Sequence, residues 1–175
     1  EVRLHIETHR ADPADQVEAI VFAEGNVVAV ERAAVDQDTA VVRIAPEDLR
    51  HWSPDDPFLY DVQVRLLRDE KELDVEQGYF GAREVVISED AEGITRLFLN
   101  GRAVFHLGLL DQGWWPDGLY TAPTDEALLF DIAATRRMGF NSIRKHVKVE
   151  PARWYWHADR LGMLVWQDMP TGDGG

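Results

Sequence analysis

The stretch from Phe105 to Pro170 constrains the fold most. It reads FHLGLLDQ, a helical pattern, GFNSIRKHV, a second helical pattern and MLVWQDMP. Apolar runs alternating with helices, each run closing on charged or polar groups, are the layout of consecutive βα units of a parallel sheet. In such sheets the functional groups sit just past the carboxyl ends of the strands. Here those ends carry Asp111, Gln112, Arg144, His146 and Asp168. The rest of the chain reads as a scaffold in front of this segment.

The helix signals are local. Thr124 is the expected N-cap, with Asp125 and Glu126 in the first turn where the helix dipole favours them. Leu128, Leu129, Ile132 and Met138 make the apolar face, and Gly139 ends the helix. The second helix starts near Pro151, carries Trp154, Ala158 and Leu161 at helical spacing and stops at Gly162. Ahead of the first unit, Ile94 to Asn100 and Arg102 to Leu110 read as a hairpin turning on Asn100-Gly101, the pair suited to a type I′ turn. Its returning strand is expected to run on as the first parallel strand, VFHLGLL.

The first half has a different period. Val2, Leu4 and Ile6 alternate with Arg3, His5 and Glu7, as in a half-buried strand. Val17, Ala19, Val21 and Ala23 share one face of the next run, and Glu24-Gly25-Asn26 turns it back. Short strands follow at residues 27–30, 40–44 and 60–66, then a hairpin tip at Asp69-Glu70-Lys71-Glu72 and return strands at 73–80 and 82–87. This spacing without helices predicts an antiparallel β-sandwich. Trp52 to Tyr60 is a Pro- and Asp-rich loop entering a strand that opens with Tyr, similar to the tyrosine corner of immunoglobulin-like sandwiches. Trp52 and Tyr60 are therefore expected to close one end of the core; stacking on sugars is the alternative. The opening residues alternate like a strand rather than a leader peptide, so the chain reads as a piece of something longer.

Composition excludes some partners. A formal net charge of −14 disfavours nucleic acid and anionic membrane. Zero cysteines exclude disulfides and thiolate metal sites, and lean toward a cytoplasmic location. No run has the length of a membrane span. The histidines lack metal-ligand spacing, so no metal or cofactor is expected.

The segments WSPDDPFLYDV, YFGAREVVI, FLNGRAVFHLG, DEALLFDIAATRRMGFNSIRKH and WYWHADRLGMLVWQDMP together resemble glycoside hydrolase family 2, which includes β-galactosidases, β-glucuronidases and β-mannosidases. The resemblance implies a mixed β and α/β chain: an immunoglobulin-like β-sandwich over residues 1–88, then the start of a TIM barrel over 89–175. A closed barrel takes roughly 250 residues, so about three of its eight strands are expected here. It also implies a retaining exo-β-glycosidase acting on terminal β-linked sugars. That reaction needs two carboxylates about 5 to 5.5 Å apart. In the family they are glutamates on the fourth and seventh barrel strands, beyond this sequence, so this chain alone is expected to be inactive and carries no catalytic residue.

The substrate-binding candidates are Arg144, His146, Asp168, Asp111, Trp114 and Trp115. Arg144 matches the arginine that closes the second barrel strand, where a guanidinium can orient a carboxylate; the alternative is a structural ion pair. By the resemblance His146 matches the family's active-site histidine, although its spacing to the following Pro departs from the pattern; the alternative is a structural histidine. Asp168 stands where several members place an acidic residue. Asp111 and Gln112 follow the first strand and are weaker candidates. Trp114 and Trp115, beside Gly113 and Pro116, either offer a stacking platform for sugar or pack beneath their loop. Self-association through an incomplete barrel is a further expectation. The rival reading is a non-catalytic β-sandwich module binding carbohydrate or protein.

Overall fold

The computed structural model describes residues 1–46 and 48–170; the Gly-rich end of the sequence pattern, residues 171–175, lies outside them. The chain divides into two compact units. One comprises Glu1–His51 and Leu59–Ala82, the other Trp52–Phe58 and the chain from Arg83 onward.

The first unit is built from antiparallel strands. β1 (Val2–Glu7) pairs with β4 (Thr39–Ile44). β2 (Asp15–Ala23), β3 (Asn26–Ala34), β5 (Tyr60–Arg68) and β6 (Lys71–Phe80) form a second sheet in the order β3-β2-β5-β6. Alternation decides which side chains enter the core: Val17, Ala19 and Val21 of β2, Val42 and Ile44 of β4, and Tyr60 and Val62 of β5 are buried. Two hairpin turns take consecutive positive φ values, Glu24-Gly25 at 51° and 81°, and Asp69-Glu70 at 50° and 61°. That is the type I′ geometry whose twist matches the flanking strands.

On the other face of β2 lies a row of charge. Glu18 stands between Arg32 of β3 and Arg65 of β5 in register. It accepts from Arg32 Nε at 2.8 Å and from Arg65 at 2.8 Å. The hydrogen bond from Arg32 is the main reason its carboxyl is held below the ordinary value. Asp15, which begins the core-facing row of β2, is bound by Arg68 through two parallel hydrogen bonds of 2.6 and 3.0 Å. The Tyr60 hydroxyl accepts from the backbone N–H of Arg50 at 2.7 Å, the bond expected of a tyrosine corner.

Trp52 departs from the expectation. It is fully buried and belongs to the second unit, whereas Tyr60 belongs to the first. Its indole N–H donates to the carbonyl of Asp159 at 2.7 Å, and the Arg83 guanidinium stacks on its ring at 4.5 Å. Neither partner is near it in sequence.

The second unit begins with β7 (Val85–Glu89), β8 (Thr95–Leu99) and β9 (Arg102–Ala103), which form one antiparallel sheet. Asn100 and Gly101 have φ of 50° and 75°, as the Asn-Gly pair predicts. The parallel strand does not run straight on from this hairpin. β10 begins only at Gly108 and ends at Asp111. Between them the Asn141 side chain replaces the ladder, accepting from Leu107 N at 2.9 Å and donating to Phe105 O at 2.8 Å.

β10, β11 (Ser142–Lys145) and β12 (Leu164–Gln167) form a parallel sheet in that order. They alternate with α1 (Asp125–Arg137) and α2 (Ala152–Arg160). Thr124 caps α1, its hydroxyl accepting from Ala127 N, and Gly139 and Gly162 follow the helices with φ of 90° and 70°. Leu128 and Ile132 of α1, Ile143 of β11, Trp154 and Ala158 of α2, and Met163 make the core between helices and sheet. Gly108 has a steric reason: a Cβ there would lie 2.4 Å from Ser142 Oγ.

Candidate functional site

Strand register sorts the sheet's side chains into two faces. Leu109, Ile143 and Val165 align across the sheet, as do Asp111, Lys145 and Gln167. Because Ile143 packs against the helices, both rows belong to the helix-covered face. Leu110, Arg144 and Trp166 form the row on the opposite face, where all three are exposed. The candidates therefore divide: Arg144 and Asp111 end neighbouring strands but face opposite ways.

On the open face Arg144 meets Asp168, just past β12. Arg144 Nε lies 3.1 Å from Asp168 Oδ2, and Arg144 Nη2 lies 3.0 Å from the same oxygen. The arginine side chain is largely exposed, so the guanidinium keeps donors directed to solvent while Asp168 fixes its plane. On the same face the Trp166 indole N–H donates to His106 Nδ1 at 2.7 Å. Burial holds the His106 pKa below its ordinary value. This leaves the neutral ring with its proton on Nε2.

The helix-covered face holds a buried ion network that the sequence reading missed. Lys145, only 1% exposed, lies 2.7 Å from Asp111 Oδ2 and 2.7 Å from Glu150 Oε1, with its ammonium 4.7 Å from the Trp154 ring centroid. Lys148, also buried, lies 3.0 Å from the same Glu150 oxygen. Asp111 further accepts from Gly113 N at 2.7 Å. Two lysines thus neutralise two carboxylates, which is how a protein tolerates buried charge. The nearby Asp131 carboxyl is raised, first by burial and then by the charge of Asp111. The available signal was parity: Lys145 shares its strand face with Ile143, so a lysine there must be buried and paired.

Around the carboxyl ends lie His146 and the two tryptophans. His146 Nδ1 is 3.3 Å from Gln112 Nε2, which links the loops after β10 and β11. Val147 follows with φ of 43°, an uncommon conformation for a β-branched residue. Trp114 is 62% exposed and meets Tyr120 edge to face at 5.2 Å. Trp115 turns the other way, half-buried against the helix core, while its backbone pairs with Leu119. Trp114 is thus the exposed member of the pair and Trp115 the packed one. No group of metal-ligating side chains occurs among the described residues, and no helix there is long and apolar enough to cross a membrane.

A chain pairing antiparallel β-sheets with a helix-backed parallel sheet matches known glycosidases. Residues 1–83 match the family model described as Glycosyl hydrolases family 2. A β-galactosidase of Yersinia pestis is 33% identical over 132 residues, covering 74% of this chain and 12% of its own length. A β-galactosidase of Oenococcus oeni is 31% identical over 115 residues, covering 65% of this chain and 11% of its own. A solved glycosyl hydrolase family 2 member from Bacteroides cellulosilyticus superposes with a TM-score of 0.71 at 29% identity, covering 86% of this chain and 20% of that one. The β-glucuronidase of Bifidobacterium dentium shares the fold, with a TM-score of 0.81 over 90% of this chain and 25% of its own, at 22% identity. The resemblance to glycoside hydrolase family 2 is borne out: this chain is related to that family. It spans only 11% to 14% of the length of these curated relatives and others like them.

Proposed function

We propose that this chain is part of a retaining exo-β-glycosidase, with an immunoglobulin-like sandwich preceding the first three strands of a (β/α) barrel. The observation that carries the reading is the parallel β10-β11-β12 sheet: helices cover one face, and the other presents Arg144, tied to Asp168, at the carboxyl ends. In a closed barrel that face is the interior, and the carboxyl ends form the rim of the substrate pocket.

In this reading Arg144 donates to a sugar hydroxyl or to a catalytic carboxylate, Asp168 orients it and accepts from a sugar hydroxyl, and Trp114 stacks on a ring. His146, held by Gln112, stands ready as a further donor. Retention requires a nucleophile and an acid/base carboxylate on either side of the glycosidic bond. Asp111 and Glu150 are engaged by Lys145 and turned to the helix side, so neither serves these roles. The pair comes from elsewhere in the complete protein, and the isolated chain does not turn over. Asp111 accordingly moves from the substrate candidates to the structural network.

The test is hydrolysis of aryl β-galactosides, β-glucuronides and β-mannosides by the product of the complete reading frame, with its Arg144→Ala variant. The expected result is cleavage of one sugar class and a fall in kcat/KM of at least about 100-fold in the variant, the scale of losing an oriented ionic contact in a dry site. Full activity without Arg144 contradicts the site assignment.

A further inference from the structure

The loop between β10 and α1 closes around a single buried ammonium. Lys148 Nζ donates to Gly113 O at 2.7 Å and to Tyr120 O at 2.8 Å, and contacts Glu150 Oε1 at 3.0 Å. An ammonium has three N–H donors, and these three acceptors use all of them. The two carbonyls bracket the segment that contains Trp114, so Lys148 ties the start of the loop to its end. The fit is close at Gly113, where φ is 64° and a Cβ would stand 2.7 Å from Lys148 Nζ and 2.5 Å from Glu150 Oε1. Inside the clasp the backbone of Trp115 and Leu119 pairs reciprocally at 2.7 and 3.0 Å. Lys148 Nζ also lies 4.5 Å from the Tyr120 ring centroid, and Tyr120 holds Trp114 edge to face. A chain of contacts thus runs from a buried cation to an exposed indole.

We propose that Lys148 is a positioning residue, whose buried ammonium clasps the β10–α1 loop and so presents Trp114 and Tyr120 as an aromatic platform for a glycoside ring. The inference rests on the glycosidase reading for the identity of the ligand. The clasp itself does not. Glu150 completes it by neutralising the cation, and Tyr120 adds a bond from its hydroxyl to Val147 O at 3.3 Å, joining the loop to the strap that bears Lys148. The platform acts through stacking, so it contributes to binding of sugar rather than to bond cleavage.

Two measurements separate the clasp from the ligand. In the 175-residue chain, amide hydrogen exchange at Trp115 and Leu119 is compared between wild type, Lys148→Met and Lys148→Arg. The clasp predicts acceleration of at least about tenfold in Lys148→Met with the α1 amides unchanged, and partial recovery in Lys148→Arg. Unchanged loop exchange overturns the clasp whatever the protein hydrolyses. In the complete protein, the aryl glycoside it cleaves is used to measure kcat and KM. The platform predicts a roughly tenfold rise in KM with little change in kcat for Trp114→Ala and for Lys148→Met, and no further rise in the double variant. Additive losses, or a fall confined to kcat, overturn the platform while leaving the clasp. If the complete protein cleaves no glycoside, the same variants are titrated with methyl β-glycosides by tryptophan fluorescence, and absence of Trp114-dependent binding refutes the proposal.

Discussion

Replacing Lys145 by Met tests the buried network most severely. The substitution keeps the volume of the side chain's apolar stem but removes a cation that is 1% exposed. Asp111 loses its 2.7 Å partner, and Glu150 is left with Lys148 alone. Removing one partner of a buried ion pair costs about 3–5 kcal/mol, because the remaining charge stays desolvated. The lost contact with the Trp154 ring adds on the order of 1 kcal/mol. The sum, about 5 kcal/mol, is comparable with the whole stability of many small domains. The assay is urea denaturation followed by tryptophan fluorescence, with the two units fitted as separate transitions. The account predicts that the transition of the second unit moves to much lower urea while that of the sandwich stays in place. A second variant, Lys145→Met with Asp111→Asn, recovers part of the loss by removing the stranded charge. A cost below about 1 kcal/mol is what an exposed salt bridge gives, and would refute the claim that the network is buried and coupled.

Other outcomes follow from the same geometry. Trp52→Ala opens a cavity and removes the indole donor from the Asp159 carbonyl, so it should destabilise the second unit by about 3–5 kcal/mol in the same assay. Changing Asp69-Glu70 to Asn-Gly relieves two side chains held at positive φ, and should raise the melting transition of the sandwich by about 1 kcal/mol equivalent. Glu18 has a depressed folded-state pKa, so its stabilisation is fully present above its ordinary value of 4.5 and is lost as pH falls through the folded value. Urea melts at falling pH should therefore show the sandwich weakening below about pH 4.5, less so in Glu18→Gln. His106 follows the same sign. Its lowered pKa means stability is present above its ordinary 6.5 and declines as protonation competes with the Trp166 hydrogen bond, readable as a shift in indole emission that Trp166→Phe abolishes.

What could be read from the sequence was local or periodic. Asn100-Gly101 fixed its turn because few other residue pairs tolerate two positive φ angles. Thr124 and Gly139 bounded α1 through backbone groups that must find partners. The alternation of Val17, Ala19 and Val21 identified the inward face of β2. The failures were contacts between residues far apart in the chain. Trp52 reads as part of the sandwich, yet its indole bonds the carbonyl of Asp159, 107 positions away. Phe105 to Leu107 read as strand, but there the Asn141 side chain binds Leu107 N and Phe105 O. At the site, Arg144 and Asp168 come together as two strand ends in one sheet should. Asp111 does not join them, because register turns it toward Lys145. Lys148 and Glu150 carried no signal, since one lysine and one glutamate in a short loop read as solvated unless their partners are known.

The most direct measurement is side-by-side hydrolysis of aryl β-glycosides by these 175 residues and by the product of the complete reading frame, over a range of pH. The account predicts cleavage of one sugar class by the complete protein and none by the shorter chain, because the proposed reading puts the carboxylate pair outside these residues. Turnover by the shorter chain alone would contradict that division, and inactivity of the complete protein on every glycoside would favour a carbohydrate- or protein-binding module.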